Sequence, residues 1–109
     1  MVDVTSIALS GLNAASTRLA NSANNIVNAR TPGFKPSDAV TESVDNGGVI
    51  VDIRERTPAS VQTGNGEVPN VSLEQEVVNS ITAESDFKAN LALLKTQKEL
   101  DKSLLDIQA

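Results

Sequence analysis

Apolar side chains recur with helical spacing in both terminal parts of the chain. In the first part, roughly Val4 to Arg30, small and apolar residues are spaced alternately by four and three positions, as in the seam of a coiled coil. The spacing predicts a helix that ends near Thr31, because Pro32 disfavours helical backbone in the residue before it. The seam positions are Ala8, Leu12, Ala15, Leu19, Ser22, Ile26 and Ala29.

The C-terminal part carries a longer stripe of the same kind, and no proline or glycine occurs from Ser72 to Ala109. The sequence Ser72-Leu73-Glu74-Gln75 fits a capping box at a helix start, and Glu74 and Glu76 are acidic residues in the first turn. A helix of about 35 residues is too long to bury its stripe within so small a chain. We therefore expect it to pair with the N-terminal helix or with neighbouring molecules. The apolar positions are Leu73, Val77, Ile81, Phe87, Leu91, Leu94, Leu100, Leu104 and Ile107.

Residues 31–70 contain all four prolines and five of the six glycines, which interrupt helices. Apolar residues at Val49, Val51 and Ile53 alternate with polar ones, as in a strand with one buried face. The turn sequence Asn46-Gly47-Gly48 precedes this strand, and Val40 to Val44 supplies a second strand for a short β-hairpin. We expect the remaining residues, 57–70, to form a loop.

A tight turn links the first helix to the middle. Thr31-Pro32-Gly33-Phe34 fits a type II turn, because proline fixes one central residue and glycine accepts the positive φ of the next. We expect Phe34 to anchor this turn on a helix. The predicted fold class is mainly α, with a helix and turn over 1–35, a hairpin and loop over 36–71, and a helix over 72–109.

Composition excludes several kinds of chemistry. The chain has no cysteine and no histidine, which removes disulfides, thiol nucleophiles and the usual zinc ligands. Nothing concentrates acidic groups for catalysis, and no basic patch is suited to nucleic acid. We therefore expect neither an enzyme nor a protein that holds a cofactor, a metal ion or a small-molecule substrate.

The sequence also indicates a chain that needs partners. Phe34 and Phe87 are its only aromatic residues, so the core of an isolated molecule would be marginal. The net charge is −5, with a positive N-terminal part and a negative remainder, which mildly favours pairing of the two terminal segments. No stretch approaches the roughly 18 apolar residues that span a bilayer, and the start of the chain does not match a cleaved secretory signal.

The residues expected to pack the two helices come from both stripes. An internal core is the simplest interpretation, a contact between subunits is the second, and in a polymer both can hold. The set is Leu12, Ala15, Leu19 and Ile26 of the first stripe, with Val77, Ile81, Phe87, Leu91 and Leu94 of the second.

Two segments resemble the motifs of flagellar rod and hook proteins. Residues 23–35 are similar to the family's N-terminal motif, Ala-Asn-Asn-Ile-Ala-Asn followed by Thr-Pro-Gly-Phe-Lys, and residues 70–90 are similar to its C-terminal motif. Arg30 departs from the pattern, as does Ser85-Asp86-Phe87, at sites that would face neighbouring subunits. The motif residues here are Asn24, Asn25, Asn28, Thr31, Pro32, Gly33 and Phe34.

The resemblance implies a fold and a role. In this family the terminal helices pack as an antiparallel, coiled-coil-like pair and form the inner core of the axial structure, while the middle segment projects outward. So short a middle segment implies a likeness to the small proximal-rod subunits, or to an accessory rod-like protein. The implied partners are copies of the chain and other rod and hook proteins, with the basal-body ring as a further candidate. The implied location is the flagellar basal body, reached by type III export without a cleaved signal peptide.

Two alternatives stay open at the level of sequence. The amides of Asn24, Asn25 and Asn28 either bond to adjacent subunits or cap the end of the first helix. The chain as a whole is either a polymerising axial subunit or a helical-hairpin adaptor or chaperone that holds a partner on an apolar stripe.

Overall fold

The computed structural model of the chain describes residues 3–108, which form an elongated molecule of 71 × 24 × 15 Å. Two β-hairpins lie between the two terminal helices in the sequence. The elements in chain order are α1 (Val4–Val27), β1 (Ser37–Ser43), β2 (Val49–Glu55), β3 (Ser60–Thr63), β4 (Gly66–Pro69) and α2 (Leu73–Gln108). The prediction of a mainly helical chain is confirmed, with α1 ending a few residues before the expected point.

Both helices begin at a side-chain cap. Asp3 precedes α1, and its carboxylate accepts a hydrogen bond from the backbone N–H of Ser6 at 2.7 Å. At the start of α2, the Ser72 hydroxyl accepts from the N–H of Gln75 at 3.3 Å. Each cap satisfies a backbone donor that the first helical turn leaves unpaired. The side chain of Gln75 donates to Asn79 and not back to Ser72, so only the hydrogen bond to the Ser72 hydroxyl of the expected capping box is formed.

The two helices pack along a seam of small and polar residues. Asn25 contacts Glu76, Arg18 contacts Asp86, and Gly11 lies against Asn90, so residue numbers fall along α1 as they rise along α2. The buried and half-buried seam positions are Ala8, Gly11, Ala15, Arg18, Ser22 and Asn25 on α1, and Glu76, Asn79, Ala83, Asp86, Asn90 and Leu94 on α2. A coiled-coil type of packing stays a prediction.

Close approach of the helices explains the choice of small residues. A Cβ atom added to Gly11 would lie 2.4 Å from the side-chain oxygen of Asn90, well inside van der Waals contact. The predicted N-terminal seam is displaced by one residue from the observed seam at Leu12, Leu19 and Ile26. At these turns Gly11 and two polar residues lie in the seam instead, and the polar residues contact side chains of α2.

The first hairpin lies against α1. Strands β1 and β2 pair antiparallel, with Thr41 opposite Val51 and Ser43 opposite Val49, which confirms the predicted hairpin and extends it. The N–H of Val49 donates to the Ser10 hydroxyl at 3.1 Å. Val49 and Val51 share a groove with Ala14 of α1. The hairpin is therefore attached to the helix by both polar and apolar contacts.

The expectation of a loop over residues 57–70 is wrong. Ser60–Thr63 and Gly66–Pro69 form a second antiparallel hairpin, with Val61 opposite Val68. Within residues 3–108 its strands do not pack against either helix or the first hairpin. The sequence signals are the alternation before the turn and the Asn65-Gly66 dipeptide, which favours hairpins.

The Thr31–Phe34 turn forms as predicted, but its surroundings differ. The N–H of Phe34 donates to the carbonyl of Thr31 at 3.1 Å, and Gly33 has a φ of 78°, as a type II turn requires. The expected anchor for Phe34 was a helix. The structure places this half-buried ring beside Val68 and Pro69 of the second hairpin instead.

Neither described helix is long and apolar enough to cross a membrane.

Candidate functional site

A buried polar cluster joins the end of α1, the start of β1 and the start of α2. Asn25 is at its centre and is 0% exposed. Its Nδ2 donates to the carbonyl of Ser37 at 2.8 Å, and its Oδ1 accepts from the N–H of Ser37 at 3.3 Å. Asn21, one turn earlier, donates to the same carbonyl at 2.9 Å. The first residue of β1 is thus fixed to α1 through its backbone.

Glu76 connects α2 to this cluster. Its carboxylate is 1% exposed, and Oε1 accepts from Asn25 Nδ2 at 3.3 Å and from Arg56 Nη2 at 3.0 Å. The other oxygen, Oε2, is buried and has no hydrogen-bond partner among the described residues. A buried carboxylate is costly unless it is paired, so Arg56 and Asn25 are what allow Glu76 to lie there.

Arg56 follows β2 and ties three segments together. Besides Glu76, its guanidinium donates to Asp38 Oδ1 at 2.6 and 3.0 Å and to the carbonyl of Asn70 at 2.8 Å. Burial by itself lowers the pKa of Arg56, but the hydrogen bonds and charges of Asp38 and Glu76 outweigh it and raise the pKa above its ordinary value. The arginine is therefore held fully charged.

The asparagines of the predicted motif have different roles. Asn25 is buried and its amide is used within the chain. Asn28 follows α1 as its C-cap, and its Nδ2 donates to the carbonyl and to the side chain of exposed Asn24 at 2.9 and 3.0 Å. The hydroxyl of Thr31 donates to Asn28 Oδ1 at 3.2 Å. The capping interpretation therefore describes Asn24 and Asn28, whereas Asn25 joins three elements.

The structure divides the predicted packing residues into two groups. Ala15 is buried, and Leu12, Ile26 and Leu94 are half-buried. An internal core is the wrong interpretation for the others, because they are 38–62% exposed. We define these others as the apolar flank: Leu19, Val77, Ile81, Phe87 and Leu91.

The apolar flank is a feature of the surface of the helix pair. Leu19, Phe87 and Leu91 line one groove between the helices, and Val77 and Ile81 lie on the preceding turns of the same side of α2. Exposed apolar groups that share one side of a molecule are typical of an interaction surface. Their place in an interface stays a prediction.

Two family models match the chain. One describes the flagella basal body rod protein and matches residues 6–35; the other describes the flagellar basal body rod FlgEFG protein C-terminal region and matches residues 62–107. Together they cover more than two thirds of the chain, at both ends and in this order. The chain belongs to the flagellar basal body rod proteins. A search of curated proteins found no match.

The matched ranges give the cluster of this rod protein a simple description. Asn25 lies in the N-terminal range and Glu76 in the C-terminal range, so their hydrogen bond joins the two family regions. Arg56 and the first hairpin belong to the segment between the ranges. The families are structural, and within residues 3–108 no cluster of acidic side chains is arranged to hold a metal ion.

Sequence reasoning missed Glu76 and Arg56. Glu76 was interpreted only as an acidic residue in the first turn of α2. The available signal was its place three and seven positions before Asn79 and Ala83, which is the spacing of the small and polar seam. For Arg56 the amino-acid sequence offers no signal, because the contacts of this side chain depend on how the first hairpin folds back onto the helices.

Proposed function

We propose that this rod-family chain is a structural subunit of the axial rod of the flagellar basal body, and that it assembles by helix packing. The observation that carries the proposal is the position of the apolar flank. Most of the large apolar side chains of both family-matched helices are exposed outside a seam that consists mainly of small and polar residues. A second set of helices is the natural cover for such a surface.

Burial of the flank would supply a substantial driving force for assembly. Each large side chain, such as Ile81 or Leu91, stabilises by about 1.5–3 kcal/mol when fully buried. The seam between the two helices of one chain buries alanine, serine and asparagine instead of such large apolar side chains. Most of the hydrophobic stabilisation available to these helices is therefore released on association.

The finer features of the proposal follow from the family and the shape. The helix pair, antiparallel by the order of its contacts, would form the inner wall of the rod and transmit torque. The two hairpins would lie outside it. We propose copies of the chain and other rod and hook proteins as partners, a place among the small proximal-rod subunits, and export through the flagellar type III apparatus.

The experiment replaces one leucine of the flank and one leucine opposite to it. Leu91 and Leu93 are 49% and 43% exposed, and they point to opposite sides of α2 because successive residues turn by about 100°. Leu91→Asp should leave the circular dichroism spectrum of the dilute chain unchanged and abolish rod assembly and swimming when it is the sole copy in the cell. Leu93→Asp is the matched control and should retain both.

Two results would contradict the proposal. Normal swimming of the Leu91→Asp strain would show that the flank is not an assembly surface. Normal swimming of a strain that lacks the gene, together with a stable complex between the purified chain and a soluble partner, would favour the adaptor.

A further inference from the structure

A polar cleft lies beside the buried cluster, between the helix pair and the first hairpin. It has a volume of about 500 Å³. Its charged lining consists of Arg18, Asp38, Arg56, Glu76 and Asp86. The two arginines are occupied: Arg18 donates to Asp86 at 2.7 Å, and Arg56 donates to Asp38 and Glu76. The cleft is therefore a separate feature from the apolar flank.

The carboxylates of the cleft have unused acceptor capacity. Glu76 Oε2 is buried and has no partner among the described residues, so its negative charge contributes to the field of the cleft with little screening. Asp38 and Asp86 are about half exposed, with side-chain accessibilities of 50% and 49%. Each bonds an arginine through one oxygen, and its second oxygen accepts no hydrogen bond within residues 3–108. The cleft therefore carries three carboxylates against two guanidinium groups, and both guanidinium groups are already paired.

The spacing of these groups selects the kind of ligand. Within residues 3–108 no group of these side chains is arranged to hold a metal ion. A guanidinium group carries five N–H donors in one plane and can bridge carboxylates that do not touch each other. An arginine side chain therefore fits the cleft better than a metal ion does.

We propose that the cleft receives Arg30 from a second copy of the chain. Arg30 is exposed beyond the end of α1, and it is the arginine of the described chain that forms no ion pair. It directly precedes the Thr31–Phe34 turn. The inference rests on the proposed assembly of the chain and identifies one contact within it.

The contact has a consequence for symmetry. Arg30 and the polar cleft lie on different surfaces, and we infer the arrangement in which one copy offers each to a different neighbour; reciprocal exchange of both contacts would close a pair instead. The inferred heterologous contact produces a ring or an open helical series and not a closed pair. Extended assembly of an axial subunit requires a contact of this type.

Cysteine cross-linking tests the pairing, because the chain has no cysteine of its own. Thr31→Cys marks the turn and leaves Arg30 in place, and Asn79→Cys marks the lining of the cleft. Mixed under mild oxidation, the two variants should give a disulfide-linked dimer. Thr31→Cys mixed with Gln62→Cys, on the second hairpin, is the control and should give only the background level.

A second pair of variants tests the role of the charge. Arg30→Gln in the Thr31→Cys chain should reduce the cross-link at least about tenfold, since the loss of one partner of a charge pair acts strongly on association. Lys35→Gln removes the same charge from the same turn and should leave the cross-link nearly unchanged. Arg30→Lys should give an intermediate yield, because lysine lacks the planar fork.

Three results would overturn the inference: a cross-link no stronger than the control, a cross-link that survives Arg30→Gln, or a wild-type chain that stays monomeric at all concentrations. These differ from failure of the proposed function. If the Arg30→Gln strain swims normally while the Leu91→Asp strain does not, the axial role stands and the cleft contact falls.

Discussion

The side chain of Asn25 hydrogen-bonds both backbone groups of Ser37, donating to its carbonyl at 2.8 Å and accepting from its N–H at 3.3 Å. An asparagine amide is suited to this task because it carries a donor and an acceptor side by side, as a backbone strand does. Aspartate lacks the donor and leucine lacks both. The pairing fixes where β1 begins relative to α1, and the contact of Asn25 with Glu76 extends the same constraint to α2.

Asn25→Ala should lower the free energy of unfolding by about 2–4 kcal/mol. It removes the side-chain acceptor of the Ser37 N–H and one of the two donors to both the Ser37 carbonyl and Glu76 Oε1. The neighbouring Asn24 is exposed, and Asn24→Ala should change stability by less than about 0.5 kcal/mol. Urea unfolding followed by circular dichroism measures both. Equal effects of the two changes would show that the amide of Asn25 has no special role.

Arg56→Ala should be among the most damaging single changes in the chain. It leaves the carboxylate of Glu76, which is 1% exposed, without its charge partner, and such a loss costs about 3–5 kcal/mol. Arg54 is the control, since it also forms two ion pairs, with Asp52 and Glu42, but on the surface. Arg54→Ala should change the urea midpoint little. Adding Glu76→Gln to Arg56→Ala should recover part of the loss, because the uncompensated charge is then absent.

Gly11→Ala should destabilise the helix pair although alanine favours helices by about 1 kcal/mol over glycine. The new Cβ would overlap the side-chain amide of Asn90, which must then move and give up its hydrogen bond to the Asp86 carbonyl. Overpacking of this kind costs about 1–3 kcal/mol. In the double variant Gly11→Ala with Asn90→Ala the clash is removed, and its stability should exceed that of Gly11→Ala. Additive effects in this double-mutant cycle would contradict the close approach of the helices.

The cap at Asp3 should respond to pH. Its pKa lies below the ordinary value of 3.8 because its carboxylate accepts a hydrogen bond from the N–H of Ser6. A carboxyl whose pKa is lowered by folding stabilises the folded state above its unfolded pKa, and this stabilisation disappears as the pH falls through the folded pKa. The amide proton of Ser6 should therefore shift upfield below about pH 4 as the cap is lost.

An Asp3→Ser chain separates this titration from that of other carboxyl groups. Serine caps the helix without a charge, so the Ser6 amide should then keep its position through the same acid range. A shift of equal size in both proteins would assign the titration to another group.

The two helices could be predicted from the sequence because local signals agree there. Ser72 and the absence of glycine and proline after it define α2, and the residue spacing and Pro32 define α1. The pattern was less informative about which face turns inward. Periodicity favours large apolar residues such as Leu19, whereas the contact between these helices uses the close approach that Gly11 permits.

The polar cluster could not be predicted from local sequence. Arg56 and Glu76 are separated by the second hairpin, and the chain must fold back before their charges meet. The second hairpin was missed for a different reason. Its strands are only four residues long. The glycine and proline residues around them indicate a loop more strongly than so short an alternation indicates a strand, although the alternation ends in a turn sequence that favours hairpins.

Helix α2 has 36 residues and α1 has 24, a difference of about 18 Å at about 1.5 Å per residue. In the rod proposed above, the longer helix of each subunit would extend past the shorter one and overlap the neighbouring layer. A twisting load would then cross each boundary as shear along the sides of helices, where many contacts share it.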